Sequence, residues 1–518
     1  MLSKNRPLAS DFTIVLGLIV ISCMVLAVVL GNWIAEENWF LLGITLCIAI
    51  GASLALSLRS NWWILVPCMS VLGFSTLAPG FTLTGVDAAA LLGFAIIAFR
   101  RAIGDLKPVQ PSLRLNGVLF ALLVYVFVHS VIAILYQYCA GETQLKNVIK
   151  ADCQIAAPLL LLWFLALYAK PPSAKAAVWG VLLISIPTFI VGCALVYLET
   201  EVPLLSHPLL SFDWAGAGAL GYIRWSSAAL LLFGLCLSTA TRSVFLKTAC
   251  LSVALLALIG AFLGGGRVAF ASGVLGIACW MGLRRHLLLL ALTGAAALLM
   301  LITVNADPRL LDDLPKTVQR SITPFILSGQ RTSEQSGTEL SDKWHGDLRA
   351  ESWAYWMESP FSIAVGHGYK GWNDSIDIKT FTEGPLYESA KKTAIQMGRT
   401  ERTFSSILVI LGCAGVILYY GFMLLLVFRL WELRRLSPNG SFSKAMCEFS
   451  LCVLCVSLVT AFHAGGVPSY GMIYWFLGLL AARDFAPATQ ADGMLRNATP
   501  AVAQPETRFG IPGNAASL

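Results

Sequence analysis

Long apolar runs separated by short polar breaks make up most of this chain. Fourteen can be marked, near residues 12–31, 39–58, 62–79, 86–99, 115–136, 152–169, 176–197, 222–240, 244–263, 267–283, 287–304, 403–428, 446–463 and 469–482. A run of about 20 residues is what the hydrocarbon core of a bilayer demands of a helix. The fourth and the last are short, so the expectation is twelve to fourteen transmembrane helices. Helices are expected because lipid offers backbone groups no partner, and a barrel would show alternation over about ten residues instead. The fold class is therefore an all-α polytopic membrane protein.

Composition points the same way. Apolar residues make up 57% of the chain and charged residues only 13%, against about 25% charged in soluble domains. The basic residues sort to one side if all fourteen segments span. Lys4, Arg6, Arg59, Arg100, Arg101, Lys107, Arg114, Lys170, Lys175, Arg242, Lys247, Arg284, Arg285, Arg429, Arg434 and Arg435 then fall together. That side is expected to be cytoplasmic, with both termini there. The net charge of +7 is thus membrane anchoring and not a nucleic-acid footprint. The first apolar run lacks a small-residue cleavage site and reads as a retained span.

This pattern divides the chain into four parts. Residues 1–304 form a bundle of about eleven spans, 305–402 a large extracytoplasmic loop, 403–483 the last spans, and 484–518 a disordered cytoplasmic tail rich in Pro, Ala and Gly. Most of the thirteen cysteines lie in apolar segments and read as small buried hydrophobes. Cys139 and Cys153, at the outer ends of neighbouring segments, leave a disulfide open. No metal site and no cofactor is expected.

The long loop carries helix signals of its own. In "DKWHGDLRAESWAYWMESP" (342–360), Trp344, Leu348, Ser352 and Tyr355 form one stripe and Arg349, Trp353 and Trp356 another. Pro360 reads as its stop and Asp342 as a cap. A second amphipathic stretch, 387–403, leads into the next span. Between them, "SPFSIAVGHGYKGW" (359–372) places Gly366, Gly368 and Gly371 around His367, Lys370 and Trp372. Glycines at that density let a backbone turn with positive φ and approach another group closely. Such a turn offers backbone donors and an aromatic platform to a sugar or phosphate.

Two arginines interrupt apolar sequence on the outer side: Arg224 in "GYIRWSSAALLLF" and Arg267 in "FLGGGRVAFASG". A charge kept near the membrane interior usually faces a cavity and a partner, although snorkelling to the interface explains such residues too. Three glycines before Arg267 clear space that snorkelling does not require. A guanidinium beside glycine backbone suits a phosphate or pyrophosphate.

The order of these features resembles the O-antigen ligase and polymerase family, the Wzy- and WaaL-like integral membrane glycosyltransferases. The matching positions are Arg349 with Trp353, then Pro360, then Gly366 with Gly368, then Gly412 with Gly415 in "LGCAG". The resemblance covers roughly 220–430. It implies a GT-C-like fold and a bacterial inner-membrane enzyme with its long loop in the periplasm. The implied substrates are undecaprenyl-pyrophosphate-linked glycans, as both donor and acceptor, used without metal or nucleotide sugar. Arg224, Arg267, Arg349 and Arg402 would then hold the pyrophosphate, and Gly366, Gly368, Lys370 and Trp372 would line the donor. The ligases of this family keep a histidine eleven residues before the first glycine of L-G-x-x-G. Here that position is Glu401, which tilts the expectation from ligase toward polymerase and leaves Glu401, Arg402 or His367 to take the catalytic place. A ligase and a lipid-linked oligosaccharide flippase are the competing readings. Membrane lipids and a chain-length regulator are the further partners considered, and no nucleic acid is.

Overall fold

The computed structural model describes residues 76–78, 81–83, 85–102, 113–139, 218–263, 267–307, 333–368, 385–396 and 402–462, with a few isolated positions between them. Helix dominates. A two-stranded antiparallel hairpin, β1 (Thr76–Ala78) with β2 (Phe81–Leu83), stands where the third apolar segment was expected to end. The helices follow as α1 (Gly85–Ala102), α2 (Leu113–Cys139), α3 (Gly218–Ser238), α4 (Val244–Leu263), α5 (Arg267–Leu283) and α6 (Leu287–Ala306). Next come α7 (Ser333–Trp356), α8 (Pro360–Val365), α9 (Pro385–Gln396), α10 (Thr403–Leu436) and α11 (Phe442–Thr460). The segments expected at 12–31, 39–58, 152–169, 176–197 and 469–482, and the tail from 484, lie outside the described residues or touch them only at isolated positions.

Among the described residues, four helical stretches are long and apolar enough to cross a membrane: Val244–Ala261, Leu287–Ala306, Thr403–Leu436 and Phe442–Thr460. Their surfaces explain why. Leu255, Leu288, Leu299, Ile417 and Phe428 are large, apolar and exposed, an arrangement that water penalises and lipid does not. This is a membrane protein with transmembrane helices.

α3 and α4 form a close hairpin through small residues. A Cβ at Gly234 would lie 2.6 Å from the Cys250 carbonyl oxygen, so the two backbones nearly touch. Without a hydrophobic drive between helices in lipid, such small-residue contacts are what hold them together. Leu230 and Leu231 meet Ala254 and Ala257 in the seam. α5 packs on α3, and α11 packs on both. Cys236, Cys279, Cys452 and Cys455 cluster where those three helices meet. Cys452 and Cys455 have C-x-x-C spacing inside an apolar helix, where no metal site is expected from the sequence. Among the described residues no His, Cys, Asp and Glu group could hold a metal ion.

One end of this bundle is locked by charge. Glu448, in the second turn of α11, is fully buried. Its two carboxylate oxygens accept from Arg284 Nε at 2.7 Å and from Arg434 Nε at 3.0 Å. Arg284 also donates to the Thr239 hydroxyl, and Arg434 to the Leu283 carbonyl. The ends of α3, α5 and α10 and the start of α11 are thereby tied at one point. Arg284 and Arg434 were expected only as cytoplasmic anchors; Glu448, a lone acid in "AMCEFSLCVLC", supplies the partner. Removing one member of a buried, doubly paired ion cluster leaves uncompensated charge and costs about 3–5 kcal/mol. Glu448→Ala should therefore lower the unfolding temperature of the purified protein in detergent sharply, whereas Glu432→Ala at the exposed pair with Arg429 should leave it nearly unchanged.

Candidate functional site

The far end of the bundle from Glu448 carries α7, α8 and α9, packed on the beginning of α10. The stripe expected on α7 forms its buried face. Leu348 is inaccessible and packs with Ala394, Ile395 and Val409, flanked by Trp344, Tyr355 and Trp356. α7 begins at Ser333, nine residues before the expected cap at Asp342, and stops at Trp356. Pro360 does not end it. Pro360 opens α8, where its missing N–H costs nothing and its fixed φ suits a first turn. Ser359 and Ser362 cap that turn reciprocally. The second amphipathic stretch forms α9 but ends at Gln396, short of the expected 403.

α9 is held to α7 by a buried lysine. Lys391 meets the Glu351 and Glu388 carboxylates and lies over the Tyr387 ring. Burial works against its charge, and the two carboxylates more than offset that, leaving its pKa above the ordinary lysine value. Tyr387 donates to Asp347 at 2.9 Å. Burial and that bond hold its proton, so its pKa is pushed up to about 12. Sequence reading named none of these.

α8 runs into the glycine-rich turn, which meets a break in α10. Gly412 has φ +63° and ψ −166° inside what is otherwise continuous helix. The chain folds back there. Phe404 and Tyr420 lie sixteen residues apart, about 24 Å along a straight helix, yet their rings are 5.8 Å apart. The segment 403–428, expected as one span, is thus a short buried helix followed by a longer spanning one. Such a break frees the carbonyls of the preceding turn, and each must find another donor. His367 N–H donates to Val409 O at 2.8 Å and Gly368 N–H to Ile410 O at 3.0 Å. The Tyr125 hydroxyl, from α2, donates to Leu411 O at 2.8 Å. All three freed carbonyls are satisfied.

Only glycine allows this crossing. Gly366 and Gly368 have φ +78° and +77°. A Cβ on Gly366 would strike the Ile410 carbonyl and lie 2.6 Å from Gly412 N; one on Gly412 would lie 2.5 Å from Gly366 N. A Cβ on Gly368 would lie 2.7 Å from Cβ of Ala133 on α2. The two glycine motifs that sequence reading noted separately are the two halves of one backbone-to-backbone junction.

His367 stacks on Tyr355 with ring centroids 3.9 Å apart. Its Nε2 donates to the Tyr355 carbonyl at 2.6 Å, which caps the end of α7. That bond assigns the proton to Nε2 and leaves Nδ1 as the nitrogen able to accept one. Lys370, Trp372 and Glu401 lie outside the described residues.

Arg402 precedes α10, and Arg349 stands exposed on α7. The pKa of Arg402 is lowered by burial and then by the positive charge of Arg349. The two positive charges therefore act on one another across the contact of α7 with the head of α10. Beside them Thr400, Ser405 and Ser406 form a buried hydroxyl knot, with oxygens 2.6 and 2.9 Å apart, and Thr400 donates to the Arg402 carbonyl. Arg224 lies in the second turn of α3 and Arg267 opens α5. The opposite ends of both helices meet Glu448, so these arginines start from the same end of the bundle as Arg349 and Arg402. Cys139 is a free thiol, and Cys153 lies outside the described residues. Neither a protein-family model nor a curated protein matches this chain.

The junction makes its own prediction. Gly412→Ala and Gly366→Ala each force a side chain into backbone at positive φ, with about 1–3 kcal/mol from the dihedral alone and more from the collision. Both should lower the unfolding temperature and expose 360–400 to protease. Gly346→Ala, where nothing lies within 4 Å of the added carbon, should do neither.

Proposed function

We propose that this protein is a polysaccharide polymerase: a metal-independent integral membrane glycosyltransferase with twelve to fourteen spans in a GT-C-like arrangement. It extends a glycan carried on a polyprenyl pyrophosphate, at the periplasmic face of a bacterial inner membrane. The observation that supports this reading best is the packing of α7 on the head of α10 through Leu348 and Val409, which brings Arg349 and Arg402 near enough to feel one another's charge at the end of the bundle from which Arg224 and Arg267 also start. In the transfer, an acceptor hydroxyl attacks the anomeric carbon of the donor glycan, and the bond from that carbon to pyrophosphate oxygen breaks. Polyprenyl pyrophosphate leaves with the electron pair, and the hydroxyl proton passes to a base. Charge grows on the leaving group, and fixed guanidiniums in a site of low dielectric stabilise it there. Glu401 is the proposed base, next in sequence to Arg402, with His367 Nδ1 as its substitute. Lys370 and Trp372 belong to the loop that closes on the donor, and Gly366 and Gly368 anchor that loop through the junction with α10 rather than touching the donor.

A flippase reading draws on the break in α10, because transporters bind substrate and ions at interrupted helices. In this chain the interrupted carbonyls are already taken by His367, Gly368 and Tyr125, which leaves the break to serve as a joint. A ligase would use the same donor and arginines with a different acceptor.

Purified protein given defined lipid-linked repeat units tests the proposal. Arg402→Ala and Arg349→Ala should abolish polymer at unchanged protein level, with poor rescue by Lys, which lacks the bidentate fork. Glu401→Gln should slow transfer about 10²–10⁴-fold. Polymer at the wild-type rate from Glu401→Gln would pass the role to His367; wild-type rates from both arginine variants would sink the site. Reporter fusions after residue 340 should be active outside the cytoplasm, and those after 435 only within it.

A further inference from the structure

The outer helices keep three large apolar side chains exposed: Trp353 at 39%, Met357 at 54% and Phe361 at 70%. Arg349 and Trp353 on α7, and Met357 in the turn just past its end, whose N–H still bonds Trp353 O at 3.0 Å, follow at i, i+4 and i+8 and so share one face. The buried residues Leu348 and Ser352 stand on the face that packs. Phe361, in the first turn of α8 one residue after Pro360, is the next large apolar side chain exposed along the chain. Its own neighbour Ser362 is buried in the capping box, so Phe361 points away from the junction.

Position decides what covers this row. The turn after α8 rests on α2: Gly368 against Ala133 and His129, and the Val365 carbonyl on the Tyr125 hydroxyl at 3.3 Å. Over that same stretch α2 exposes Phe127, Val128, Val131 and Ile132, the apolar surface of a bundle helix. α8 is six residues long, about 9 Å, so Phe361 lies close to that belt. The row therefore continues the lipid-facing surface and does not form an island in water. Along it the chemistry grades from a cation through an indole to methionine and phenylalanine. That is the order in which a bilayer presents phosphate, interface and acyl chain. Three side chains offer too little area for a stable protein interface, which needs about 1,000 Å².

We propose that Trp353, Met357 and Phe361 are seated in the membrane leaflet at this end of the bundle, against phospholipid acyl chains, with Arg349 at the depth of the lipid phosphates. The segment 349–368 is then not a loop held in the aqueous compartment but an interfacial wedge between α2 and the lipid. The arginine pair lies at headgroup depth, independently of what reaction it serves.

Photo-crosslinking tests this in the full chain, in nanodiscs of phosphatidylethanolamine and phosphatidylglycerol. p-Benzoylphenylalanine replaces Phe361 or, in a second variant, Met357. Ile417, 70% exposed on the spanning part of α10, is the lipid-facing control, and Lys392, a charged and exposed residue of α9, the water-facing one. Phospholipid adducts by mass spectrometry at 361 and 357 should approach the yield at 417 and exceed that at 392 several-fold. Adducts no more frequent than at 392, or crosslinks to a second copy of the chain, would overturn the proposal.

Discussion

Three carbonyl groups decide the architecture of the half of this protein that lies away from Glu448. By folding α10 back at Gly412, the chain takes Val409, Ile410 and Leu411 out of the helical ladder within an apolar bundle. Each carbonyl left without a donor in such surroundings costs several kcal/mol. The donors come from two distant parts of the sequence, His367 and Gly368 after α8 and Tyr125 on α2. The fold of the loop and the path of the helix are therefore one decision. Neither can be moved without orphaning the other's backbone.

The two ends of the bundle are locked by different physics. At one end Glu448 gathers two arginines through charge, which is strong because it is buried and holds only while all three members are present. At the other, backbone meets backbone across a pair of glycines, with the Tyr125 hydroxyl as the one side chain that bonds to it. The first fixes where α3, α5, α10 and α11 converge. The second fixes where α7, α8 and α9 sit on them. Between these locks α4 and α6 present mostly exposed apolar surface, α6 being 6% buried over its length.

Much of this was legible in the sequence and some of it could not be. Hydropathy located α2, α3, α4, α5, α6 and α11 because a lipid-facing helix must be apolar over its whole length. The stripes of α7 were legible because Trp344, Leu348, Ser352 and Tyr355 recur at helical spacing. The fold-back of α10 was hidden, since both of its halves are apolar and a hydropathy run has no direction. Only Gly412 and Gly415 marked it, and a glycine in an apolar run is more often just a small residue. Pro360 suits a helix stop and a helix start equally in sequence, and only the Ser359–Ser362 cap distinguishes the two. Glu448 was the clearest missed signal: a lone carboxylate in apolar sequence requires a buried cation. Arg349 and Arg402 were both named, but their proximity depends on the packing of α7 against α10, which no local pattern encodes.

The junction also sets the spacing of the candidate charges. Arg402 stands about 15 Å along the helix from Gly412, at the head of a short helix whose direction the break determines. Arg349 is fixed to that helix by Leu348 packing on Val409, the residue whose carbonyl His367 caps. The relation between the two guanidiniums is thus carried through one buried contact and one backbone bond. Two long side chains cannot fix such a relation by themselves, because their rotamers relax. Anchoring both helices to a glycine crossing, which has no rotamers, fixes the points from which the two guanidiniums reach, so the field they share is set by backbone packing before any side-chain choice.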